Sequence, residues 1–209
     1  MYSFYTGHLD LSKMALINYA KREINLKIVY YGPAFSGKTT CIQYIYDRLD
    51  PRFKGKLVTL ATEYDRTLFF DFLPMELGEI RGFKVRIHLY TVPGQVYYNA
   101  SRRIILRGAD GIVFVADSQK ERRRDNIISM ENLKSNLSTY GLTLHDIPYV
   151  LMYNKRDLAN ILSREELDHD LNIDSVPTFE SIAIRGIGVL ESLKSITKSI
   201  LKVYYNRPS

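Results

Sequence analysis

The sequence predicts an α/β domain with a mostly parallel central sheet, one antiparallel edge strand and helices on both faces. Two short, nearly continuous apolar runs, at 111–117 and 149–154, are typical of parallel strands that are buried on both sides. Segments with apolar residues at helical spacing lie between and around these runs, so strands and helices alternate along the chain. In such folds the ligand binds at the carboxyl ends of the strands.

Each predicted element has its own local signal. The first strand alternates apolar and polar residues before it becomes wholly apolar, and the closing helix carries one apolar stripe. Turn-rich residues at 77–82 join two strands into a hairpin, and Ser163 with Glu166 makes a capping box. The predicted strands are 24–31, 69–73, 83–91, 111–117, 149–154 and 179–183. The predicted helices are 38–49, 97–106, 126–140, a short one from Ser163, and 188–205.

Length and composition limit the class of protein. A chain of 209 residues, 45% hydrophobic and 25% charged, fits one globular domain, here 14–209, preceded by an appendage at 1–13 that lacks clear periodicity. No apolar run reaches about 18 residues, and the N-terminus lacks the order of a signal peptide. The single cysteine, Cys41, favours a reduced cytoplasm. Neither end carries a lipidation signal, so we expect no direct lipid anchor.

The net charge of +6 leaves an anionic partner open. The densest basic cluster is the triple arginine at 122–124, which is flanked by Glu121 and Asp125 and has no interleaved aromatic residues. This pattern predicts a solvated helix face. An acidic protein partner is the next interpretation, and nucleic acid binding is not expected.

A phosphate-binding P-loop is predicted at 32–39, which reads G-P-A-F-S-G-K-T between a strand and a helix. Backbone N–H groups of 35–40 are expected to point at a phosphate at the positive end of the helix. Lys38 would supply charge to the outer phosphates, and Thr39 a hydroxyl for magnesium. The predicted nucleotide-binding residues of this motif are Gly32, Pro33, Ala34, Phe35, Ser36, Gly37, Lys38, Thr39 and Thr40.

A second motif selects the base. The order N-K-x-D at 154–157 follows a buried strand. The carboxylate of Asp157 can accept two hydrogen bonds from the N1–H and the exocyclic amine of guanine, a donor pair that adenine lacks. The stem of Lys155 is expected along the base or ribose, and Asn154 is expected to tie this loop to the P-loop. Alone, the motif also fits a surface loop; together with the upstream P-loop it predicts a guanine site.

Two further strand ends complete the predicted site. Gly94 has no Cβ, so its N–H can approach a γ-phosphate, and Gln95 can orient a water for in-line attack. The backbone N–H of Ala183 is expected to meet the guanine O6, although many strand ends look alike.

In this order and spacing, the four motifs resemble those of the small Ras-like GTPases, and within them the MglA family of bacterial gliding-motility and polarity GTPases. The resemblance spans about 24–205. The stretches that carry it are 22–33, 60–74, 77–83, 88–95 and 115–118.

The resemblance implies a single Ras-like GTPase domain that binds GTP or GDP with Mg²⁺. Switch I would be 55–67 and switch II 94–107. Thr67 would reach magnesium and the γ-phosphate in the GTP state, Arg66 would be an arginine finger supplied in cis, and Gln95 would position the water. The residues alone also fit Arg66 as a solvated loop arginine. The implied partners are an MglB-like Roadblock-fold activator and polarity or motility effectors that bind the GTP form.

This chain departs from the family pattern in three places. Thr91 stands where Ras proteins have an aspartate, as it does in the MglA group, so magnesium would lean more on Thr39 and Thr67 or on water held by another side chain. Ala34 replaces a glycine, and its methyl group is expected to point at the γ-phosphate and slow hydrolysis. The extra residues 1–13 are either a partner-binding arm or the product of an upstream start codon.

The sequence therefore predicts a cytoplasmic GTP-hydrolysing switch of cell polarity or motility, intrinsically slow and recruited to a cell pole through partners. A GTP-binding polarity scaffold with very slow hydrolysis is the alternative that Ala34 keeps open. An ATP-using kinase or ATPase is disfavoured by the N-K-x-D motif.

Overall fold

Eight strands make up the central sheet in the computed structural model, which describes residues 16–60 and 70–205. They are β1 (Leu16–Asn18), β2 (Glu23–Tyr31), β3 (Val58–Leu60), β4 (Phe70–Ile80), β5 (Phe83–Thr91), β6 (Gly111–Asp117), β7 (Tyr149–Asn154) and β8 (Thr178–Glu180). The order across the sheet is β3-β4-β5-β2-β6-β7-β8, and β1 pairs with β2.

The central strands β5, β2, β6, β7 and β8 are parallel, whereas β4 runs antiparallel to β5 at one side of the sheet. The short strands β3 and β1 add antiparallel pairs to β4 and β2. The predicted fold class, a mostly parallel sheet with an antiparallel edge, is confirmed. Because β2, β5, β6 and β7 are parallel, their carboxyl ends meet at one edge, which is where the predicted motifs come together.

Five helices cover the two faces of the sheet within the described residues. They are α1 (Lys38–Arg48), α2 (Asn99–Leu106), α3 (Arg123–Ser138), α4 (Arg164–Leu171) and α5 (Val189–Tyr205). Helices α1 and α5 pack on one face through residues such as Ile42 and Ile196. Helices α2, α3 and α4 pack on the other through Ile105, Leu133 and Leu167. Alternate residues of each buried strand pack into the apolar clusters on the two faces of the sheet, so neither side of these strands faces solvent.

Strand β4 is longer than the predicted 69–73, because Pro74 does not end it. The Pro74 carbonyl accepts a hydrogen bond of 2.8 Å from the Gly55 N–H on the outer side of the strand. The Pro74 nitrogen faces that same side, so no hydrogen bond to β5 is lost, which is the setting in which strands tolerate proline. Two strands of three residues, β1 and β3, carry too little pattern for prediction.

The other elements match their predictions apart from their ends. The Ser163–Glu166 capping box opens α4 as predicted. A turn of 3-10 helix at Val96–Tyr98 precedes α2, and another at Ala183–Arg185 replaces the end of the predicted strand 179–183. The predicted appendage at 1–13 lies outside the described residues. Within 16–60 and 70–205, every helix is too short or too polar to cross a bilayer.

Candidate functional site

The P-loop turns tightly between β2 and α1 because three of its residues have positive φ: Gly32 at 141°, Phe35 at 63° and Gly37 at 102°. A side chain at Gly32 would also place its Cβ 2.2 Å from the Val115 carbonyl oxygen, so only glycine fits. Turns of this kind direct successive N–H groups inward and form a concave anion site at the start of a helix.

Lys38 is buried beneath this turn. Its Nζ donates to the carbonyl oxygens of Gly32 and Pro33, at 3.0 and 2.6 Å. Burial, together with the nearby positive charge of Arg102, lowers the pKa of Lys38 to about 7. An anion bound in the turn would favour the charged amine. The lysine is therefore suited to a phosphate ligand.

Side chains from distant elements fasten the P-loop. Asn154 Nδ2 donates to the Ser36 carbonyl at 2.8 Å, the tie predicted between the N-K-x-D loop and the P-loop. Gly37 makes room for this amide, since a Cβ there would lie 2.2 Å from Nδ2. From the other side, Arg122 Nη2 donates to the Ala34 carbonyl at 3.0 Å. The loop is thereby fastened to the end of β7 and to the segment between β6 and α3.

The arginine cluster at 122–124 is not simply a solvated helix face: the prediction is wrong for Arg122, whereas the Arg123 side chain is 43% exposed and Arg124 is exposed. Arg122 reaches the P-loop and also lies 2.6 Å from Asp125. Arg123 makes two hydrogen bonds, of 2.7 and 2.9 Å, to Asp170 on α4. Their charges are largely used within the fold, and the run pattern alone could not reveal these partners.

Asp71 on β4 is the functional residue that sequence reasoning missed. Its carboxylate is buried and accepts hydrogen bonds from the hydroxyls of Thr39 at 2.7 Å, Thr59 at 2.9 Å and Thr91 at 2.9 Å. The sequence does contain a signal: Asp71 has the same strand parity as Leu73 and therefore lies on the apolar face of β4. An acidic residue on that face needs partners, and it lies beside the predicted magnesium ligand Thr39.

Gly94 and Gln95 lie next to the P-loop. A Cβ at Gly94 would approach within 2.4 Å of the Ala34 backbone, so glycine allows the two segments to touch. Both Ala34 and Gln95 line the same cavity, and Gln95 is exposed. The Ala34 backbone thus lies against the residue before Gln95, and the effect of the Ala34 methyl group on Gln95 and on hydrolysis stays a prediction.

The predicted base-binding residues gather around a second, smaller cavity. Asp157 is exposed at its rim. Lys155 Nζ donates to the fully buried Asp117 carboxylate at 2.6 Å, which turns the lysine amine inward. The Ala183 N–H donates to Asn154 Oδ1 at 2.9 Å, so this predicted donor to guanine already has a partner within the protein. Its role toward a base, like that of Lys155, stays a prediction.

The two cavities adjoin each other. The larger, about 630 Å³, lies over the P-loop and the Asp71 hydroxyl cluster; the smaller, about 200 Å³, lies over the N-K-x-D loop. They share Phe35, Gly37 and Thr40 in their walls. A ligand with an anionic end and a flat polar end would fill both. The hydroxyl and carboxylate oxygens of Thr39 and Asp71 are the hard donors that magnesium prefers, so the residues fit that ion.

Two predicted site residues, Arg66 and Thr67, lie outside the described residues. Their roles as arginine finger and magnesium ligand stay predictions.

Comparison with known proteins agrees with this geometry. Residues 12–200 match the model of the ADP-ribosylation factor family. The chain is 58% identical over 188 residues to the Mutual gliding-motility protein MglA of Myxococcus xanthus, covering 90% of this chain and 96% of that protein. It is 27% identical over 187 residues to Ras-related protein Rab-32C of Dictyostelium discoideum, with 87% and 75% covered. It is 26% identical over 193 residues to Ras-related protein Rab7 of Pisum sativum, with 88% and 85% covered.

The lowered pKa of Lys38 predicts a proton linkage. Above a pH equal to that pKa, about 7, the amine of the free protein is increasingly neutral, and a bound polyphosphate raises its pKa again. Binding therefore takes up a proton, and nucleotide affinity should fall by up to about tenfold per pH unit between about pH 7 and pH 9.

Titration calorimetry in two buffers of different ionisation enthalpy, at about pH 8, measures this uptake. The binding heat of the parent should depend on the buffer, because Lys38 takes up a proton. The Lys38→Met variant should lack this contribution. Equal heats for the parent in both buffers would contradict the linkage.

Proposed function

The chain belongs to the ADP-ribosylation factor family of Ras-like GTPases, and we propose that it is a GTP-hydrolysing molecular switch in gliding motility or cell polarity. Family membership implies a guanine-nucleotide site and GTP hydrolase activity. The process is inferred from the relative that is named for gliding motility. The observation that carries the proposal is the 2.8 Å hydrogen bond from Asn154 to Ser36, because it joins a base-selecting loop to a P-loop.

Guanine selection is assigned to Asp157, with Lys155 and Ala183 beside it. Asp157 lies at the rim of the smaller cavity, with its carboxylate accessible to a ligand. Lys155 takes a left-handed backbone conformation, φ 67°, and its amine is anchored on Asp117. That anchor supports the loop from below and leaves the aliphatic stem available to a base.

Magnesium would be held by Thr39 and Thr67, and we assign a supporting role to Asp71. When bound, the ion neutralises charge on the outer phosphates. The Thr39 hydroxyl donates its proton to Asp71, so the lone pairs of its oxygen are left to face the cavity. The Asp71 carboxylate adds negative charge beside the hydroxyl. Asp71 would thereby replace the aspartate that Ras proteins have at the position of Thr91. The Thr91 hydroxyl donates a hydrogen bond to Asp71.

Hydrolysis is assigned to Gln95, which would orient the attacking water, and to Arg66, which would stabilise the developing charge. We propose that the intrinsic rate is slow, because Gln95 is exposed beside the P-loop and must be ordered for each turnover. An MglB-like Roadblock partner would hold both residues in place without inserting one of its own. The GTP form would recruit effectors and reach a cell pole through partners, and residues 1–13 would be an appendage to the domain.

The Asp71 assignment predicts a magnesium defect. Asp71→Asn replaces one carboxylate oxygen with a donor, so the Thr39 hydroxyl is held less well. The magnesium concentration that gives half-maximal binding of fluorescent GTP should rise about 10- to 100-fold, as for other groups that orient a metal ligand. Asp50→Asn is the matched control, since Asp50 is an exposed aspartate that lines neither cavity and its loss should leave magnesium dependence unaltered. An unchanged magnesium titration for Asp71→Asn would remove this assignment.

The Asp157 assignment predicts a change of base. Asp157→Asn removes one charge-assisted acceptor and should weaken guanine nucleotide binding by about 2–4 kcal/mol. Xanthine nucleotide, in which a carbonyl replaces the exocyclic amine, should gain relative to guanine. Competition binding with GDP, xanthosine diphosphate and ADP measures the order. If the variant binds GDP as tightly as the parent, the N-K-x-D loop does not select the base.

The switch itself is tested by single-turnover GTP hydrolysis with and without a Roadblock-type partner. Arg66→Ala should lose most of the stimulation, since an arginine finger contributes about 10³–10⁵ in rate, while partner binding is retained. Gln95→Leu should behave likewise, and Ala34→Gly should be faster if the methyl group obstructs Gln95. Arg164→Ala, which removes an arginine from α4, is the control and should leave the stimulation unchanged.

Full stimulation of Arg66→Ala would show that the partner supplies the missing charge. GTP binding without measurable hydrolysis, even with the partner, would favour the scaffold alternative over the switch.

A further inference from the structure

A cluster of amide side chains joins the helix that follows Gln95 to its neighbour α3. We call it the asparagine network: Tyr31 at the end of β2, Asn99 at the start of α2, and Asn132 and Asn136 on α3. Tyr31 and Asn136 are buried, and Asn99 and Asn132 are half-buried. The proposed chemistry of the site uses none of these side chains.

Asn99 Oδ1 is the point where the network meets α2. It accepts a hydrogen bond of 3.0 Å from Asn132 Nδ2 and one of 2.9 Å from Asn136 Nδ2. Asn136 Nδ2 also lies 3.0 Å from Asn132 Oδ1, within the same helix. Asn99 therefore serves the network only as an acceptor, and two donors from α3 converge on one of its atoms.

Tyr31 closes the network from the P-loop side. Its hydroxyl donates to Asn132 Oδ1 at 2.6 Å and accepts from Asn136 Nδ2 at 3.0 Å. Burial raises the pKa of Tyr31 to about 12, so the phenol keeps the proton that it donates. Because Tyr31 immediately precedes Gly32, the same network contacts both the P-loop strand and the switch II helix.

A second contact holds the other end of α2. The Tyr140 hydroxyl donates to the Arg103 carbonyl at 2.8 Å. Helix α2 is thus fixed to α3 at its start and, in its last turn, to the segment just after α3, and Gln95 lies only four residues before Asn99. A single 3-10 turn at Val96–Tyr98 separates the two. The range of positions open to Gln95 is set by where α2 begins.

We propose that Asn99, held by Asn132 and Asn136, is a positioning residue that places Gln95 for hydrolysis. The proposal rests on the role given to Gln95 in the proposed function. Losing the acceptor would free the start of α2 and widen the range over which Gln95 moves. Because a misplacement of about 1 Å can cost 10²-fold in rate, the loss should reduce intrinsic hydrolysis about 10- to 100-fold.

A network that merely stabilised the core would lower stability and nucleotide affinity together. A network that positions Gln95 lowers the hydrolysis rate and leaves GDP affinity unaltered, since none of its members lines either cavity. The two roles also differ in whether the effect depends on Gln95.

The experiment measures single-turnover GTP hydrolysis without partner, GDP affinity and melting temperature for five variants. Asn99→Ala removes the acceptor, and Asn99→Asp keeps it because a carboxylate accepts both bonds. Tyr140→Phe removes the contact at the far end of α2 and is the matched control. Gln95→Leu and the double variant Gln95→Leu/Asn99→Ala complete a double-mutant cycle.

We expect Asn99→Ala to lose hydrolysis with GDP affinity retained, Asn99→Asp to restore most of the rate, and Tyr140→Phe to have the smaller kinetic effect. In the Gln95→Leu background, Asn99→Ala should slow hydrolysis no further. Additive effects in the cycle, or a parallel loss of GDP affinity, would overturn the positioning role while leaving the GTPase intact. Parent-like hydrolysis by Gln95→Leu would overturn the role of Gln95 itself, and with it this proposal.

Discussion

The buried carboxylate of Asp71 is the interaction on which the phosphate half of the site depends. A charge in the interior is tolerated only when its oxygens are hydrogen-bonded. Here the hydroxyls of Thr39, Thr59 and Thr91 come from α1, β3 and β5, so one side chain binds three elements together. The same bonds orient the Thr39 hydroxyl toward the cavity. One set of atoms thus serves both the stability of the fold and the proposed magnesium site.

Patterns in the sequence were sufficient for the fold, because apolar periodicity distinguishes buried parallel strands from helices. They were also sufficient for the P-loop and for its tie to Asn154, since the motif spacing sets both. They did not reveal Asp71, because Phe70 and Phe72 on the opposite face of β4 are as apolar as Leu73 and obscure the signal that its parity gives. The partners of Arg122 and Arg123 were missed because a run of like charges does not show which of its members find partners within the fold.

In the base half of the site, most of the predicted binding groups already make hydrogen bonds within the protein. Asn154 donates to Ser36 and accepts from Ala183, and Lys155 is anchored on Asp117. Asp157 alone is exposed toward the smaller cavity. The sequence predicted a base-binding role for all of these residues, but it could not separate those whose side chains build the loop from Asp157, whose side chain is exposed. That separation depends on contacts 29 and 38 residues apart.

These contacts also indicate where regulation can act. The P-loop is fastened by Asn154 and Arg122. Helix α2 is fastened to α3 at its start and to Tyr140, just after α3, in its last turn, so an activating partner gains little by contacting these parts. Between these fixed parts lie Gln95 and one short 3-10 turn. Ordering a residue costs about 1–2 kcal/mol, an amount that a modest contact surface can offset over so few residues. We infer that a partner can accelerate hydrolysis by restricting this segment together with Arg66, without inserting a residue of its own into the site.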